Sequence, residues 1–232
     1  MSEDRLVRAI LAAFERDPAI DLHRDAVRVR GDGETLVLDG EVDNIAAKRR
    51  ALILARETAD TPNVLDRLRL RVSRERGDRE LAQAVTGALS QEGAFRGTPV
   101  REASGTAASE AGLQVSCSDG VIRLNGAVAS LSHRRLAEVL AWWVPGVADV
   151  DNRLHVTPPE KDSDDELTDA LRLVLEMDPT LHNASIRCRA RDRIAELEGT
   201  VRSDEQSRLA EYDCWYVPGI HGVRNALRTL PG

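Results

Sequence analysis

The side chains that most often carry catalysis or bind metals are few in this sequence and widely spaced. Its histidines and cysteines are His23, His133, His155, His182, His221, Cys117, Cys188 and Cys214. Zinc sites and hydrolase triads need such groups brought together. The sequence has no Cys-x-x-Cys pair, phosphate-binding glycine loop or dinucleotide fingerprint. It therefore predicts a protein that is not an enzyme and that holds no metal or cofactor.

A run of acids between two apolar segments is the one stretch with the charge to attract a cation. It contains Asp162, Asp164, Asp165 and Glu166. Calcium loops require a fixed spacing and a central glycine, which this run lacks. Acids are also expected at a helix start, where they interact favourably with the helix dipole. We favour this second interpretation.

Aromatic side chains are concentrated in two short stretches, AWWVPG and CWYVPG. They contain Trp142, Trp143, Trp215 and Tyr216, and Tyr212 lies nearby. Large aromatic side chains are usually buried, so one interpretation packs both tryptophans of the helix ends into gaps between structural units. The other is an exposed interaction surface facing a bilayer, a partner protein or an unfolded client. Phe95 is a further candidate for that surface.

Basic side chains form a local cluster in an otherwise acidic chain. Lys48, Arg49, Arg50 and Arg56 follow one another on a predicted helix, while the formal net charge is −7. One interpretation of this cluster, and of Arg67, Arg69 and Arg71 on the next predicted strand, is contact with an anionic lipid or phosphate surface. The interpretation that we favour is that the strand arginines face solvent and pair across strands with Asp39 and Glu41. The overall acidity argues against nucleic acid as a partner.

The elements that must position these side chains are repeated along the chain. Pro145 and Pro218 lie 73 residues apart, and so do Gly126 and Gly199 of the upstream phrases LNGAV and LEGTV. A third phrase, LDGEV, surrounds Gly40. Each phrase follows an amphipathic helix and an alternating hairpin, and precedes a helix with small residues at i and i+4. A fixed period of this kind predicts three structural repeats.

Each repeat is predicted to be an αββαβ unit of an α+β fold, with two helices on one face of a three-stranded sheet. The predicted repeats cover residues 1–75, 76–158 and 163–232, and the second contains an insertion at 91–112. This insertion is rich in glycine and small polar residues around Phe95. Long loops of this type are either binding elements or flexible excursions, and both interpretations stay open here.

The pattern resembles the BON domain, a family named after a bacterial osmotically induced protein and nodulation proteins. Repeat two matches it nearly throughout, and repeat one departs from it by extra residues before Pro62 and by a missing asparagine. The resemblance implies a structural role for the motif residues. These are Gly40, Gly126, Gly146, Gly199, Gly219, Asn152 and Asn225.

The resemblance implies a non-catalytic binding protein that interacts with phospholipid membrane or envelope components in a bacterial stress response. The alternative is a cytoplasmic sensor of a small ligand or an ion such as potassium, or a holdase-type chaperone. The sequence has neither an apolar run of transmembrane length nor a secretory leader before its first helix. It therefore predicts a cytoplasmic chain that associates peripherally with a phospholipid surface or with a protein partner.

Overall fold

The computed structural model describes residues 3–32, 35–61, 63–72, 76–103 and 112–230. The chain divides into two compact units, residues 1–71 and residues 72–232. The first unit contains one repeat, and the second contains the other two. No helix in the described ranges is long and apolar enough to cross a membrane.

The first unit is one αββαβ repeat with a three-stranded sheet. Its elements are α1 (Glu3–Phe14), β1 (Ala26–Asp32), β2 (Thr35–Val42), α2 (Ile45–Ala59) and β3 (Val64–Leu70). The central strand β2 pairs antiparallel with β1 and parallel with β3. The parallel pairing requires a crossover connection, and α2 provides it.

Small side chains allow α2 to lie directly on this sheet. Ala47, Ala51 and Ala55 are fully buried and pack in one core with Ile10 and Phe14 of α1. The helix begins after Asn44, whose side chain accepts a hydrogen bond from the amide of Ala47. A side-chain cap of this kind satisfies one of the amides that a helix start leaves without an intrahelical partner.

The second unit contains repeats two and three. Repeat two consists of α3 (Asp78–Gln91), β4 (Val100–Glu102), β5 (Leu113–Ser118), β6 (Val121–Val128), α4 (Leu131–Trp142) and β7 (Asp149–Val156). Repeat three consists of α5 (Asp164–Met177), β8 (Ser185–Arg191), β9 (Ile194–Val201), α6 (Asp204–Tyr216) and β10 (Gly222–Thr229). Single 3₁₀ turns, Gly93–Phe95 and Pro179–Leu181, follow α3 and α5.

The predicted α+β fold of tandem αββαβ repeats is confirmed, with one difference in repeat two. Its sheet has four strands in the order β4-β5-β6-β7, whereas repeat three has the expected three, β8-β9-β10. The extra strand comes from the insertion, because Val100–Glu102 pairs parallel with β5. Residues 104–111 of the insertion lie outside the described part of the chain.

Helix α4 forms the centre of the second unit. Residues 135–142 are buried on every side of the helix, since α4 packs on its own sheet and also contacts α3, α5 and α6. Helices α5 and α6 contact each other as well. The two repeats therefore share a helical layer in which side chains of one repeat are covered by the other.

A glycine in the middle strand of each repeat allows the neighbouring strand to approach closely. Gly40, Gly126 and Gly199 have φ of 130°, 121° and 127°. A Cβ atom added at them would lie 1.8, 2.1 and 1.9 Å from the backbone oxygens of Ala26, Gly112 and Ser185. These distances are shorter than any real contact, so only glycine fits.

We expect Gly199→Ala to lower the free energy of unfolding of the second unit by about 3 kcal/mol, through the clash with Ser185 and the positive φ. Urea unfolding followed by tryptophan fluorescence measures this change, because all three tryptophans lie in that unit. Gly87→Ala is the matched control. An added Cβ meets nothing within 4 Å there, and alanine favours the helix by about 0.5–1 kcal/mol. Equal effects of the two changes would contradict the close-approach explanation.

Candidate functional site

An open cleft in the second unit brings aromatic and acidic side chains of repeats two and three together. Its volume is about 410 Å³. The lining residues are Trp143, Asp178, Pro179, Leu209, Tyr212, Asp213 and Tyr216. Trp143 comes from repeat two and the other six come from repeat three, so the cleft exists because the two repeats pack as one unit.

The ends of three helices meet at this cleft. Trp143 is the C-cap of α4, Asp178 is the C-cap of α5, and Asp213 and Tyr216 lie in the last turn of α6. The last carbonyl groups of a helix lack intrahelical partners and carry a partial negative charge. The negative ends of three helix dipoles therefore lie beside the acidic side chains of the cleft.

Asp178 and Asp213 form a carboxyl pair. Asp213 is only 6% exposed, and burial, the charge of Asp178 and a hydrogen bond between the two carboxyl groups raise the pKa of Asp213 to about 8. Two close carboxylates cannot both ionise readily, so such a pair holds a proton that single acids lose. At neutral pH Asp213 therefore keeps its proton.

The two acids differ in the hydrogen bonds that their carboxyl oxygens accept. The Oδ1 atom of Asp178 accepts hydrogen bonds from the amide of Thr180 (2.8 Å) and from its hydroxyl (2.7 Å). The Oδ2 atom of Asp213 is buried, and no donor in the described part of the chain reaches it. A buried carboxylate oxygen without a donor is energetically costly, which is why Asp213 keeps its proton until the pH approaches 8.

Aromatic groups form the wall around this pair. Trp143 and Tyr216 are half-buried, and Tyr212 is 43% exposed. Burial, followed by the nearby charges of Asp213 and Tyr212, raises the pKa of Tyr216, which keeps its ring neutral. No group of three or more His, Cys, Asp or Glu side chains suited to a metal ion occurs within the described ranges.

The structure separates the aromatic residues that the sequence grouped as one surface. Trp143 and Tyr216 line the cleft, whereas Trp142 and Trp215 are 5% and 8% exposed. Phe95 is 3% exposed and makes an edge-to-face contact with the ring of His133. Of the two interpretations of the tryptophans, burial therefore holds for Trp142 and Trp215, and Phe95 is not part of an exposed surface. Consecutive helix positions point about 100° apart, so one tryptophan of Trp142-Trp143 is enclosed while the other reaches the cleft.

The basic cluster on α2 is also divided. Lys48 is 3% exposed and forms an ion pair with Asp66 at 2.9 Å, which corrects its assignment as a lipid contact. Arg50 is half-buried and pairs with Asp17 at 2.6 Å. Arg49 is half-buried, and Arg56 is exposed. The four side chains therefore do not form one exposed patch.

The motif asparagines fasten the last strand of a repeat to its second helix. Asn225 of β10 donates through Nδ2 to the carbonyl oxygen of Ser207 (3.0 Å) and to Glu211 (3.2 Å), while its Oδ1 accepts from the amide of Leu227 (3.1 Å). Asn152 of β7 makes the equivalent bonds to Arg134, Glu138 and Leu154. In repeat three this fastening holds α6, which carries most of the cleft.

We expect Asn225→Ala to lower the free energy of unfolding of the second unit by about 2 kcal/mol, because it leaves part-buried donors and acceptors without partners. Asn183→Ala, at an exposed turn position, is the matched control and should change stability by less than about 0.5 kcal/mol. Thermal unfolding followed by circular dichroism compares the two. A loss no greater than that of the control would contradict the fastening role.

Gly146 and Gly219 lie in the turns that follow α4 and α6. They follow Pro145 and Pro218 and have φ of 102° and 99°. A left-handed glycine is the usual way to reverse the chain after a helix. These glycines therefore direct the chain into β7 and β10.

The sequence analysis does not identify Asp178 or Asp213 as site residues, although the residue type at position 213 differs from that in the other two repeats. At the same place in the repeat, repeat one has Leu54 and repeat two has Leu140. A charged residue that replaces a repeated apolar one indicates a special local environment. Asp178 has no comparable signal, because its role depends on a contact between α5 and α6.

Comparison with known proteins connects all three repeats to one family. The model of the BON domain matches residues 2–72, 77–158 and 163–231. Osmotically-inducible protein Y of Escherichia coli K12 is 29% identical over 123 residues. That match spans 50% of this chain and 61% of the relative.

Solved structures give a weaker comparison. The C-terminal domain of CdsD, the structural protein of the type III secretion system of Chlamydia trachomatis, is 17% identical with a TM-score of 0.26, and each chain is covered in full. A second CdsD structure has the same identity and score and covers 98% of this chain and 93% of its own. A likeness at this score carries no argument about fold or function.

Proposed function

The chain belongs to the BON domain family, and from that premise we propose that it is a non-catalytic, stress-related protein that binds a small ligand in the cleft between repeats two and three. One observation carries the proposal. Asp213 is buried at this cleft with an oxygen that no donor reaches, although the repeated pattern has leucine at its position. Such a costly group is retained most readily where it serves binding.

The shape and composition of the cleft support this function. Small-molecule sites are concave and largely apolar, with a few convergent polar groups, and typically have volumes of about 300–1,000 Å³. The cleft of about 410 Å³ falls within that range. Aromatic and aliphatic side chains supply its walls, and the carboxyl pair supplies the polar groups.

The assignment to stress tolerance follows from the relative. The Escherichia coli protein is named for osmotic induction, and we extend a role in osmotic stress to this chain. The proposal of binding without catalysis rests on the match of all three repeats to the BON domain.

Phospholipid binding is the competing function, and the structure removes much of its support. A lipid surface needs exposed apolar and basic groups side by side. Lys48, Trp142, Trp215 and Phe95 are instead buried. Arg56 is exposed and could still contact an anionic lipid surface. The test of function therefore includes a measurement of vesicle binding.

Backbone amide NMR of the full chain tests the proposal. The probes are choline chloride, sodium acetate, potassium chloride and the neutral alcohol 3,3-dimethyl-1-butanol, each titrated separately. We expect at least one probe to give saturable shifts centred on the cleft residues. Trp143→Leu should weaken that response, whereas Leu65→Ser, at an exposed site in the first unit, should leave it unchanged.

Absence of saturable shifts at the cleft with all four probes would contradict small-ligand binding there. Co-sedimentation with phosphatidylglycerol vesicles completes the comparison. Protein in the vesicle pellet, together with a cleft that no probe shifts, would replace the proposal with the phospholipid function.

A further inference from the structure

We infer that the ligand of the cleft is a small organic ammonium cation, held between the Asp178–Asp213 carboxyl pair and the rings of Trp143, Tyr212 and Tyr216. The inference rests on the proposed function and adds the chemical class of the ligand. Three independent features of the cleft select a cation of this type.

The first feature is the sign of the charge. Asp178 and Asp213 are the charged side chains that line the cleft in the described part of the chain, and both are acids. The Oδ2 atom of Asp213 lacks a donor. An ammonium group near the pair would offset the repulsion between two carboxylates and allow the second acid to ionise.

The second feature is the aromatic wall. A cation within about 6 Å of a ring centroid is attracted by the quadrupole of the ring, and Trp is the most effective ring for this purpose. One tryptophan and two tyrosines line a single cleft in a chain with only 3% aromatic residues. Rings of this kind around a charged pair are the usual means of recognising quaternary ammonium groups.

The third feature is the position of the cleft at helix ends. The C-terminal ends of α4, α5 and α6 converge there. The helix dipole gives each of these ends a partial negative charge, which favours a nearby cation over an anion. The backbone therefore selects the same sign of charge as the side chains.

The walls also favour an organic cation over a metal ion. A divalent metal ion requires several oxygen or nitrogen ligands in a defined geometry, and Asp178 and Asp213 are the only such side-chain acids in the described lining. Leu209, Pro179 and the rings instead offer apolar contact. Methylated ammonium groups combine a positive charge with an apolar surface, and so match both parts of the cleft.

Binding of the cation is expected to depend on pH. The charge of Asp178, at the end of α5, makes ionisation of Asp213 unfavourable. The other titratable groups that line the cleft are Tyr212 and Tyr216 of α6, and α4 contributes the uncharged Trp143. A bound cation stabilises the ionised acid, so its affinity rises as pH rises toward the pKa of Asp213 near 8 and levels off above it.

Isothermal titration calorimetry of the full chain tests the inference with choline chloride and 3,3-dimethyl-1-butanol, which have similar shapes and differ in charge. We expect choline to bind at least about ten-fold more tightly than the alcohol at pH 8. Asp213→Asn should reduce that preference, and Trp143→Leu should weaken choline binding by about ten-fold.

The outcomes separate the inference from the proposed function. Equal affinity for choline and the alcohol, or tighter binding of acetate, would overturn the ammonium class while leaving a small-ligand site in place. Absence of binding by every probe would overturn both. A choline preference that Asp213→Asn leaves unchanged would place the cation elsewhere and overturn the inference.

Discussion

Replacing Asp213 by asparagine should stabilise the second unit at pH 8 and have much less effect at pH 4. The folded-state pKa of Asp213 is raised to about 8, from an ordinary value of 3.8. Between these values the folded protein holds a proton that the unfolded chain has lost, so rising pH destabilises the fold. The loss approaches about 1.4 kcal/mol per pH unit and ends once pH exceeds the folded-state pKa. Asparagine is uncharged throughout, so it abolishes this loss.

Urea unfolding followed by tryptophan fluorescence at pH 5, 6, 7 and 8 measures the effect. We expect the stability difference between Asp213→Asn and the natural chain to grow by on the order of 3 kcal/mol from pH 5 to pH 8. Asp169→Asn is the control, because Asp169 forms an exposed ion pair with Arg172 on α5, which is worth less than about 1 kcal/mol. A difference that stays constant with pH would show that Asp213 is ionised normally.

Replacing Lys48 by alanine should lower the free energy of unfolding of the first unit by about 3–5 kcal/mol. The side chain of Lys48 is 4% exposed, and its amine pairs with Asp66 and donates to the carbonyl oxygen of Leu68. Removing the amine leaves a partly buried carboxylate and a carbonyl without their donor. Removing the methylene stem also leaves a cavity beside the core.

Hydrogen exchange of the β2 and β3 amides measures this loss within the first unit. Arg56→Ala, at an exposed position on the same helix, is the matched control and should change protection by less than about 0.5 kcal/mol. The double substitution Lys48→Met with Asp66→Asn should recover much of the stability, because it removes both charges together. Similar protection in Lys48→Ala and Arg56→Ala would contradict the buried ion pair.

The sequence predicts the repeated architecture well because that architecture depends on local signals. Gly126 and Gly199 sit at the same place in two repeats, and Ala47, Ala51 and Ala55 keep helical spacing. Periodicity and turn residues are properties of neighbouring positions, and they determine helices and strands directly. The same signals do not predict the additional strand of repeat two, because Val100–Glu102 has only three residues and lies in a polar insertion.

The cleft depends on contacts between distant parts of the chain, so the sequence predicts it only in part. The sequence marks Trp143 and Tyr216 as rare aromatic residues, but the neighbouring residues do not show that Trp143 reaches the cleft while Trp142 is buried. Burial of Lys48 likewise depends on Asp66 in the next strand. Asp213 could have been identified from the leucines at its position in the other repeats, whereas its pairing with Asp178 required the packing of α5 on α6.

The most direct measurement of the cation site is the number of protons released when choline binds at pH 7. Calorimetric titrations in two buffers with different ionisation enthalpies give this number. With the pKa of Asp213 near 8, a cation that ionises this acid should release close to one proton per choline bound, and Asp213→Asn should release none. Saturation with choline without proton release, or equal release by the variant, would contradict binding at the carboxyl pair.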